Sequence, residues 1–163
     1  YPLRRQRQMC IRDRLGIFQL PAGPIREFRT RYPWEVPLVA PEDVSLLSSG
    51  NPWLTNTGSN AIALFRRTTS QDFYSYIAPT PDGEPYGIDV YENSAVWFTE
   101  HAGNRLGRFG REYRVVEYPL PVPGGQPTDV VAESSDCAWY AAPGANRIGH
   151  FCRVLAYLPL IFR

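Results

Sequence analysis

The sequence contains no lysine, and all 17 of its basic residues are arginines. It has no run of 18 apolar residues, so it predicts no membrane-spanning helix and no membrane partner. Hydrophobic residues make up 44% of the chain and aromatic residues 13%, which is enough for a packed core and excludes global disorder. The 16 prolines and 13 glycines indicate many short elements joined by tight turns.

Several catalytic motifs are also missing. The sequence has no phosphate-binding G-x-x-x-x-G-K-[ST] loop, no G-x-S-x-G nucleophile elbow and no C-x-x-C pair. It has two histidines, of which His101 falls in a turn and His150 in a strand-like segment. Neither has a partner at metal-ligand spacing along the chain, so a structural role is expected for both.

The arginines are concentrated at the N-terminus, where four lie within the first 13 residues. The stretch RQRQMCIRD, residues 5–13, resembles a translated sequencing-library adapter, and the alternative is a basic nucleic-acid-binding arm. Without residues 1–13 the net charge changes from +1 to −2. We therefore expect residues 1–13 to be an artefactual or disordered tail, and the remainder to have no nucleic-acid partner.

An internal repeat determines the fold prediction. Trp53, Trp97 and Trp139 are 44 and 42 residues apart, and each is followed 12 residues later by a phenylalanine. The three copies run over residues 43–65, 87–109 and 129–151 and read DVSLLSSGNPWLTNTGSNAIALF, GIDVYENSAVWFTEHAGNRLGRF and DVVAESSDCAWYAAPGANRIGHF. A partial copy, with RLGIF and IREF, precedes them.

Each copy predicts four antiparallel strands, because short runs rich in β-branched and aromatic residues alternate with Gly/Asn/Pro/Asp turns. The second strands are predicted near residues 52–56, 95–100 and 137–142, and the fourth strand of the last copy near 153–158. Four strands in a repeat of about 40–45 residues are typical of a β-propeller blade. A solenoid is the competing repeat fold, but its repeats usually carry fewer strands, and a β-sandwich gives no reason for the constant 12-residue spacing. Propellers close with about 4–8 blades, so we predict an incomplete, all-β propeller over residues 14–163. Its blades are expected near 14–42 (partial), 43–84, 85–126 and 127–163.

The segment EPYGIDVYENSAVWFTEHAGNRLGRF, residues 84–109, resembles the repeat of the streptogramin (virginiamycin B) lyase family. The resemblance implies a site built from three features. These are a Glu-Pro-His-Gly sequence before the first strand of one blade, the glutamate of W-F-T-E in the same blade, and a Pro-His-Gly histidine one blade earlier. These groups surround Mg²⁺, and a histidine acts as the base that opens a macrolactone by elimination.

Carried over by position, the pattern is only partly filled. Glu84 and Glu100 match the two glutamates and are the implied Mg²⁺ ligands, but Tyr86 replaces the histidine. Glu42 and Thr128 stand at the same position in the neighbouring blades. A phenol with an ordinary pKa of about 10 is a poor base at neutral pH, so the blades present do not supply the lyase base.

Structural roles remain open for each of these residues. Glu84 and Glu100 could be a turn residue and a strand-end residue, and Tyr86 could pack at the channel mouth. Asp43 and Asp129 begin equivalent first strands, where they could line an acidic funnel that binds ligand or could cap the adjacent turn.

The cysteines give a register prediction. If Ala142 pairs with Arg147 across the PGAN hairpin, Cys137 faces Cys152, close enough for a disulfide. Two buried free thiols are the alternative.

Two functional classes follow from the sequence. One is a propeller that binds a small molecule or a glycan through the loops around its channel, and the other is a Mg²⁺-dependent lyase. The full-length protein is expected to be a monomer. The sequence leaves the compartment open.

Overall fold

The structure is a computed structural model, and it describes residues 6–11, 13–19, 24, 26–30, 35–67 and 71–153. Their strands form four consecutive antiparallel sheets. The N-terminal sheet consists of β1 (Gln6–Ile11), β2 (Arg14–Gln19) and β3 (Arg26–Phe28). The described residues contain no helix of the length and apolarity that a membrane span requires.

The other three sheets are the repeats, and we call them blades 1 to 3. Blade 1 contains β4 (Val44–Leu46), β5 (Pro52–Asn56), β6 (Ala61–Phe65) and β7 (Phe73–Ile77). Blade 2 contains β8 (Pro85–Tyr91), β9 (Ala95–Glu100), β10 (Arg105–Phe109) and β11 (Val115–Pro119). Blade 3 contains β12 (Asp129–Ala132), β13 (Cys137–Ala142) and β14 (Arg147–Cys152).

This architecture confirms the prediction of an all-β, partial propeller. Every blade pairs its strands in chain order, so each is an antiparallel meander. The second strands occupy the predicted ranges 52–56, 95–100 and 137–142. The fourth strand predicted for blade 3, residues 153–158, lies almost entirely outside the described residues.

Part of the segment that the sequence predicts to be an artefactual or disordered tail is paired in the N-terminal sheet. Residues 6–11 form β1, which pairs with β2 in a register that joins Ile11 to Arg14. The unpaired edge of β2 offers a row of backbone N–H and C=O groups, and an adjacent extended segment can satisfy them whatever its composition.

Three apolar clusters hold the sheets face to face. The first joins the N-terminal sheet to blade 1 through Leu15, Phe28 and Phe65. The second lies between blades 1 and 2, and the third lies between blades 2 and 3; Trp53 and Trp97 are their largest members, respectively. Because each interior blade is covered on both faces, its strands are nearly continuous apolar runs rather than alternating ones.

Polar contacts fix how neighbouring blades meet. The first strands β4, β8 and β12 lie side by side, and aspartates link them. The Asp43 carboxylate accepts a hydrogen bond from the Ile88 N–H at 2.9 Å, and the Asp89 carboxylate accepts one from the Ala132 N–H at 2.9 Å. The Trp97 indole donates to the Ser134 carbonyl at 3.1 Å. The repeat therefore encodes the blade contacts as well as the strands.

Candidate functional site at the channel entrance

The three chain segments that lead into the first strands β4, β8 and β12 lie side by side. We call these segments links. Thr128 is so close to Gly87 that a Cβ on the glycine would lie 2.5 Å from the Thr128 carbonyl oxygen. Asp43 reaches the same strand through its bond to Ile88. We call residues 42–43, 86–87 and 128–129 the channel row. It contains the positions that carry the family's histidines.

Asparagines in the hairpins between second and third strands hold these links in place. Asn60, Asn104 and Asn146 adopt left-handed backbone conformations with φ of 51°, 52° and 51°, which asparagine tolerates better than most residues. The Asn60 side chain donates to Thr80 O at 2.8 Å and accepts from Gly83 N at 3.0 Å.

Asn104 repeats that arrangement one blade later. Its side chain donates to Val122 O at 2.9 Å and accepts from Gly125 N at 2.9 Å. This pairing explains why an asparagine recurs at one position of the repeat. Asn60 and Asn104 each fix the segment that enters the following blade, and so they position the channel row at Tyr86 and Thr128.

The side chains of the channel row differ in what they can offer a ligand. Glu42 and Asp129 are exposed, whereas Tyr86 and Thr128 are half-buried. The Tyr86 ring lies 5.4 Å from the His101 ring. The Asp43 carboxylate is engaged by the Val44 and Ile88 N–H groups, which corresponds to the capping role rather than to a free acidic funnel.

Asp129 caps its own strand in the same way, because one carboxylate oxygen accepts from the Val130 N–H at 2.9 Å. No histidine occupies the channel row in the part of the chain that the structure describes. The row therefore presents carboxylate, hydroxyl and aromatic groups, and its residues include no imidazole base.

Glu84 and Glu100 lie at the same end of blade 2 but in different environments. Pro85 pairs with Glu100 in the sheet, and the Glu84 carbonyl accepts from the His101 N–H at 2.9 Å. The Glu84 side chain is exposed. The Glu100 side chain is 0% exposed and is enclosed by two glycines, Gly83 and Gly103.

The two glycines are required by this enclosure. A Cβ on Gly103 would lie 3.0 Å from a Glu100 carboxyl oxygen, and one on Gly83 would lie 3.2 Å from its carboxyl carbon. Larger residues at these turns would displace the carboxyl group.

Burial determines the ionisation of Glu100. Its carboxyl oxygens have no hydrogen-bond partner among the described residues. Burial raises the pKa of Glu100 to about 8, because the charged form loses its hydration. The Glu117 carboxyl group lies close enough to raise this pKa further, although no hydrogen bond of normal geometry joins the two groups.

These observations test whether the implied Mg²⁺ fits here. Mg²⁺ demands near-octahedral oxygen ligands and keeps several of its waters. In the described part of the chain, Glu84 and Glu100 belong to no group of three close ligand atoms. The Glu84 carboxyl group is in solvent, whereas the Glu100 carboxyl group is enclosed between Gly83 and Gly103. The residues of blade 2 do not fit the ion.

The counterpart of Glu100 in blade 1 shows what this position does. Asn56, also 0% exposed, accepts from the Val39 N–H at 2.7 Å and donates to the Pro37 carbonyl at 2.7 Å. It thereby holds the link that enters blade 1. In blade 3 the counterpart is Ala142. Glu100 lies beneath the equivalent link but without those bonds.

A cavity of about 360 Å³ lies between blades 1 and 2 at the opposite end of their strands. Its walls include Trp53, Phe109 and Tyr113. The sequence did not indicate it, because the cavity forms only where two blades diverge. The nearest signal was the aromatic residue that recurs at the end of each third strand.

Blade 3 brings together residues that the sequence did not connect. Cys137 pairs with Cys152 across the hairpin, in the predicted register, and a disulfide joins them. His150 lies on the same face, with Nε2 3.7 Å from the Cys152 sulfur and 2.6 Å from a Glu133 carboxylate oxygen. Contrary to the sequence-based expectation, His150 therefore has potential ligand partners, which lie on neighbouring strands and turns rather than at a fixed spacing along the chain.

Comparison with known proteins places these features in a family. A sequence model described as the virginiamycin B lyase family matches residues 19–154. The chain belongs to the virginiamycin B lyase family. The resemblance seen in the repeat is thereby confirmed.

Solved structures support the same fold. A catalytically inactive virginiamycin B lyase from Staphylococcus aureus, solved with quinupristin, is 31% identical with a TM-score of 0.71. That match covers 85% of this chain and 45% of the other. A streptogramin B lyase structure is 26% identical with a TM-score of 0.68, covering 88% of this chain and 49% of the other.

More distant and shorter matches add less. A structure described as a gluconolactonase, 14% identical with a TM-score of 0.57, shares the fold alone. The virginiamycin B lyase of Bacillus licheniformis is 53% identical over 32 residues, which is 20% of this chain and 11% of that protein. The present chain spans about half the length of the lyase structures that it matches.

Proposed function

We propose that the channel row is a ligand-binding surface that recognises a macrocyclic peptide lactone and performs no proton abstraction on it. The observation that carries this proposal is Tyr86. It occupies the position where the family pattern has a histidine, and its aromatic ring is only half-buried.

The groups of the row suit an amphipathic ligand. An aromatic ring offers a flat apolar surface with a polar tip, which binds another ring or an alkyl group at little entropic cost. Glu42 and Asp129 are exposed carboxylates on either side of Tyr86 along the row, and they favour a ligand that carries a basic group. Quinupristin is the probe because it is the compound present with the related lyase.

The absence of a base supports binding over catalysis. Elimination from a lactone needs a group that accepts the proton next to the ester carbonyl, and a neutral imidazole does this at physiological pH. Glu42, Tyr86 and Thr128 occupy, in three successive repeats, the position at which the family pattern has its two histidines. A bound lactone is therefore expected to leave this surface unopened.

Calorimetric titration of the 163-residue chain with quinupristin tests the binding. We expect saturable binding that Tyr86→Ala weakens about fivefold to tenfold, since one aromatic contact contributes about 1 kcal/mol. Tyr113→Ala is the matched control, because Tyr113 is an exposed tyrosine at the opposite end of blade 2. Equal effects of the two substitutions, or no binding by the parent chain, would contradict the proposal.

A second candidate is a Mg²⁺-dependent streptogramin B lyase whose catalytic histidines lie in blades beyond these 163 residues. The family membership favours it. Sequencing the source gene on both sides of this region tests it. Glu-Pro-His-Gly preceded one repeat earlier by Pro-His-Gly would support the lyase, and a ring completed without them would exclude it.

A further inference from the structure

We propose that reduction of the Cys137–Cys152 disulfide converts the face of blade 3 that carries Trp139 and His150 into a zinc site. Cys137, Cys152 and His150 supply the ligands, and Glu133 is the fourth group beside them. Of the residues that the structure describes, these two cysteines and His150 form the group whose ligand atoms all lie within 4.8 Å of one another.

The geometry fits the preference of Zn²⁺. A tetrahedral site holds thiolates at about 2.3 Å and imidazole nitrogen at about 2.0 Å from the ion, so its ligand atoms lie roughly 3–4 Å apart. Nε2 of His150 is already 3.7 Å from the Cys152 sulfur. The Glu133 carboxylate is 2.6 Å from the same nitrogen, so an ion bound by His150 would lie close to it.

The strand pairing prepares this arrangement before any ion arrives. Cys137 and Cys152 are directly opposite in the register, and His150 lies two residues before Cys152, on the same face of β14. His150 also stacks on Trp139, with ring centres 4.3 Å apart. A ligand whose orientation is fixed by packing costs less entropy when it binds.

The turn that carries Glu133 is fixed as well. The Ser134 hydroxyl accepts from the Cys137 N–H at 2.8 Å, and the Cys137 carbonyl accepts from the Glu133 N–H at 3.1 Å. At the other strand, Arg153 donates to the Asp136 carboxylate at 3.1 Å. Both ends of the pair therefore stay in register when the sulfur–sulfur bond is broken.

The cluster occurs in one blade only among those described. The positions of Cys137, His150 and Cys152 are held by Ala95, Arg108 and Gly110 in blade 2, and by Asn51, Leu64 and Arg66 in blade 1. The blade fold does not require these residues, so three ligand types on one face represent an additional property of blade 3.

The chemistry balances with a phosphine or dithiol as reductant. The reductant supplies two electrons, the sulfur–sulfur bond breaks, and two protons from water complete two thiols. Zn²⁺ then displaces the two thiol protons and binds two thiolates and a neutral imidazole. Oxidation back to the disulfide removes both sulfur ligands and releases the ion.

Cobalt(II) titration tests this proposal, because thiolate–Co²⁺ charge transfer reports sulfur ligation directly. The chain is used in a Cys10→Ser background, which leaves only the proposed pair, and is reduced with a phosphine. We expect one Co²⁺ per chain, thiolate charge-transfer absorption, quenching of Trp139 fluorescence, and displacement of Co²⁺ by the more tightly bound Zn²⁺. The oxidised chain should show no such absorption.

Variants separate this site from adventitious binding. Cys137→Ser and Cys152→Ser should each abolish the paired-thiolate spectrum, and His150→Ala should weaken binding tenfold or more. His101→Ala is the control, since that histidine lies in a turn of blade 2, and should change nothing. The proposal is overturned if the reduced chain shows no thiolate–Co²⁺ absorption, if the absorption survives Cys137→Ser, if His150→Ala binds like its parent, or if reduction unfolds blade 3.

Discussion

Blades 2 and 3 are built from the same repeat, yet equivalent residues have opposite environments in them. Trp97 and Leu106 in blade 2 are 0% exposed, whereas their blade 3 counterparts, Trp139 and Ile148, are 46% and 77% exposed. The repeat sequence specifies strands and register in both blades. Whether a given side chain becomes core depends on the blade that covers it.

Blade 3 also has a covalent bond at a position where blade 2 has a packed side chain. Where blade 2 has Ala95 buried beneath its neighbour, blade 3 has Cys137 in a disulfide to its adjacent strand. Arg108 and His150 show the same contrast. Arg108 is buried and lies over Trp97 with its charge paired across the blade interface, whereas His150 stacks on an exposed Trp139.

The comparison of blades 2 and 3 predicts its largest difference in stability at the equivalent residues Trp97 and Trp139. Trp97→Ala should lower the free energy of unfolding by about 3–5 kcal/mol, because it removes a fully packed ring. Trp139→Ala should cost less than about 1 kcal/mol, since half of that surface is already in water. Urea denaturation of both variants measures the difference. Equal losses would mean that the exposed face of blade 3 is covered in solution.

Glu100 provides a test based on pH. Its pKa is raised from 4.5 to about 8, so the folded chain binds one more proton than the unfolded chain between those values. The free energy of unfolding should therefore fall as pH rises from about 4.5 to 8. Below pH 4.5 the Glu100 carboxyl group is neutral in both states, so burying it as a charged group costs nothing there.

Glu100→Gln should remove this slope and stabilise the chain at pH 8 by about 2 kcal/mol, since a neutral amide escapes the penalty of burying a charge. Urea midpoints at several pH values measure it. Glu84→Gln is the control at the same end of the blade, because that side chain is exposed. An unchanged slope in Glu100→Gln would contradict the assignment.

The Cys137–Cys152 disulfide should stabilise blade 3 by an amount similar to the effect expected for Glu100→Gln. Cys137→Ser should lower the free energy of unfolding by about 2 kcal/mol. The disulfide joins two residues 15 positions apart in the sequence, and this cross-link restricts the conformations of the unfolded chain. Cys10→Ser serves as the control. If reducing agent leaves the parent chain's urea midpoint unchanged, blade 3 does not depend on the bond.

The smallest contrast concerns two equivalent glycines. A Cβ on Gly107 would lie 2.0 Å from the buried Phe98 ring, and one on Gly149 would lie 2.1 Å from the half-buried Tyr140 ring. Gly107→Ala should cost about 1–3 kcal/mol through overpacking. Gly149→Ala should cost less, since Tyr140 can move toward solvent. Thermal unfolding of both variants measures the two costs, and equal losses would mean that coverage of the blade has no influence.

Much of this molecule could be predicted from spacing. The 12-residue interval from tryptophan to phenylalanine, with an asparagine between them, defined the central hairpin of each blade and the pairing of Cys137 with Cys152. The pattern was reliable because short apolar strand segments and the tight turns between them are local properties of the sequence.

The features that the sequence did not predict depend on contacts between residues that are far apart along the chain. The pKa of Glu100 is raised because the turns that contain Gly83 and Gly103 enclose its carboxyl group. The W-F-T-E sequence does not show whether this carboxyl group is enclosed or is accessible to a metal ion. His150 meets Glu133 and Cys152 only through sheet pairing. The strand β1 lies in a segment whose composition indicated a tail. The residues of the channel row are equivalent positions of the repeat, and the structure brings them to one end of the blades because a repeat places equivalent residues at equivalent points.

The central claim is that the channel row binds a lactone without opening it. The most direct measurement follows quinupristin incubated with this chain and Mg²⁺ by reversed-phase chromatography, because elimination changes retention while leaving the mass unchanged. The account predicts that all of the compound keeps its original retention time during incubation with a chain that binds it. Appearance of a linear isomer, dependent on the chain and lost in Tyr86→Ala, would contradict the account and make Tyr86 part of a catalytic site.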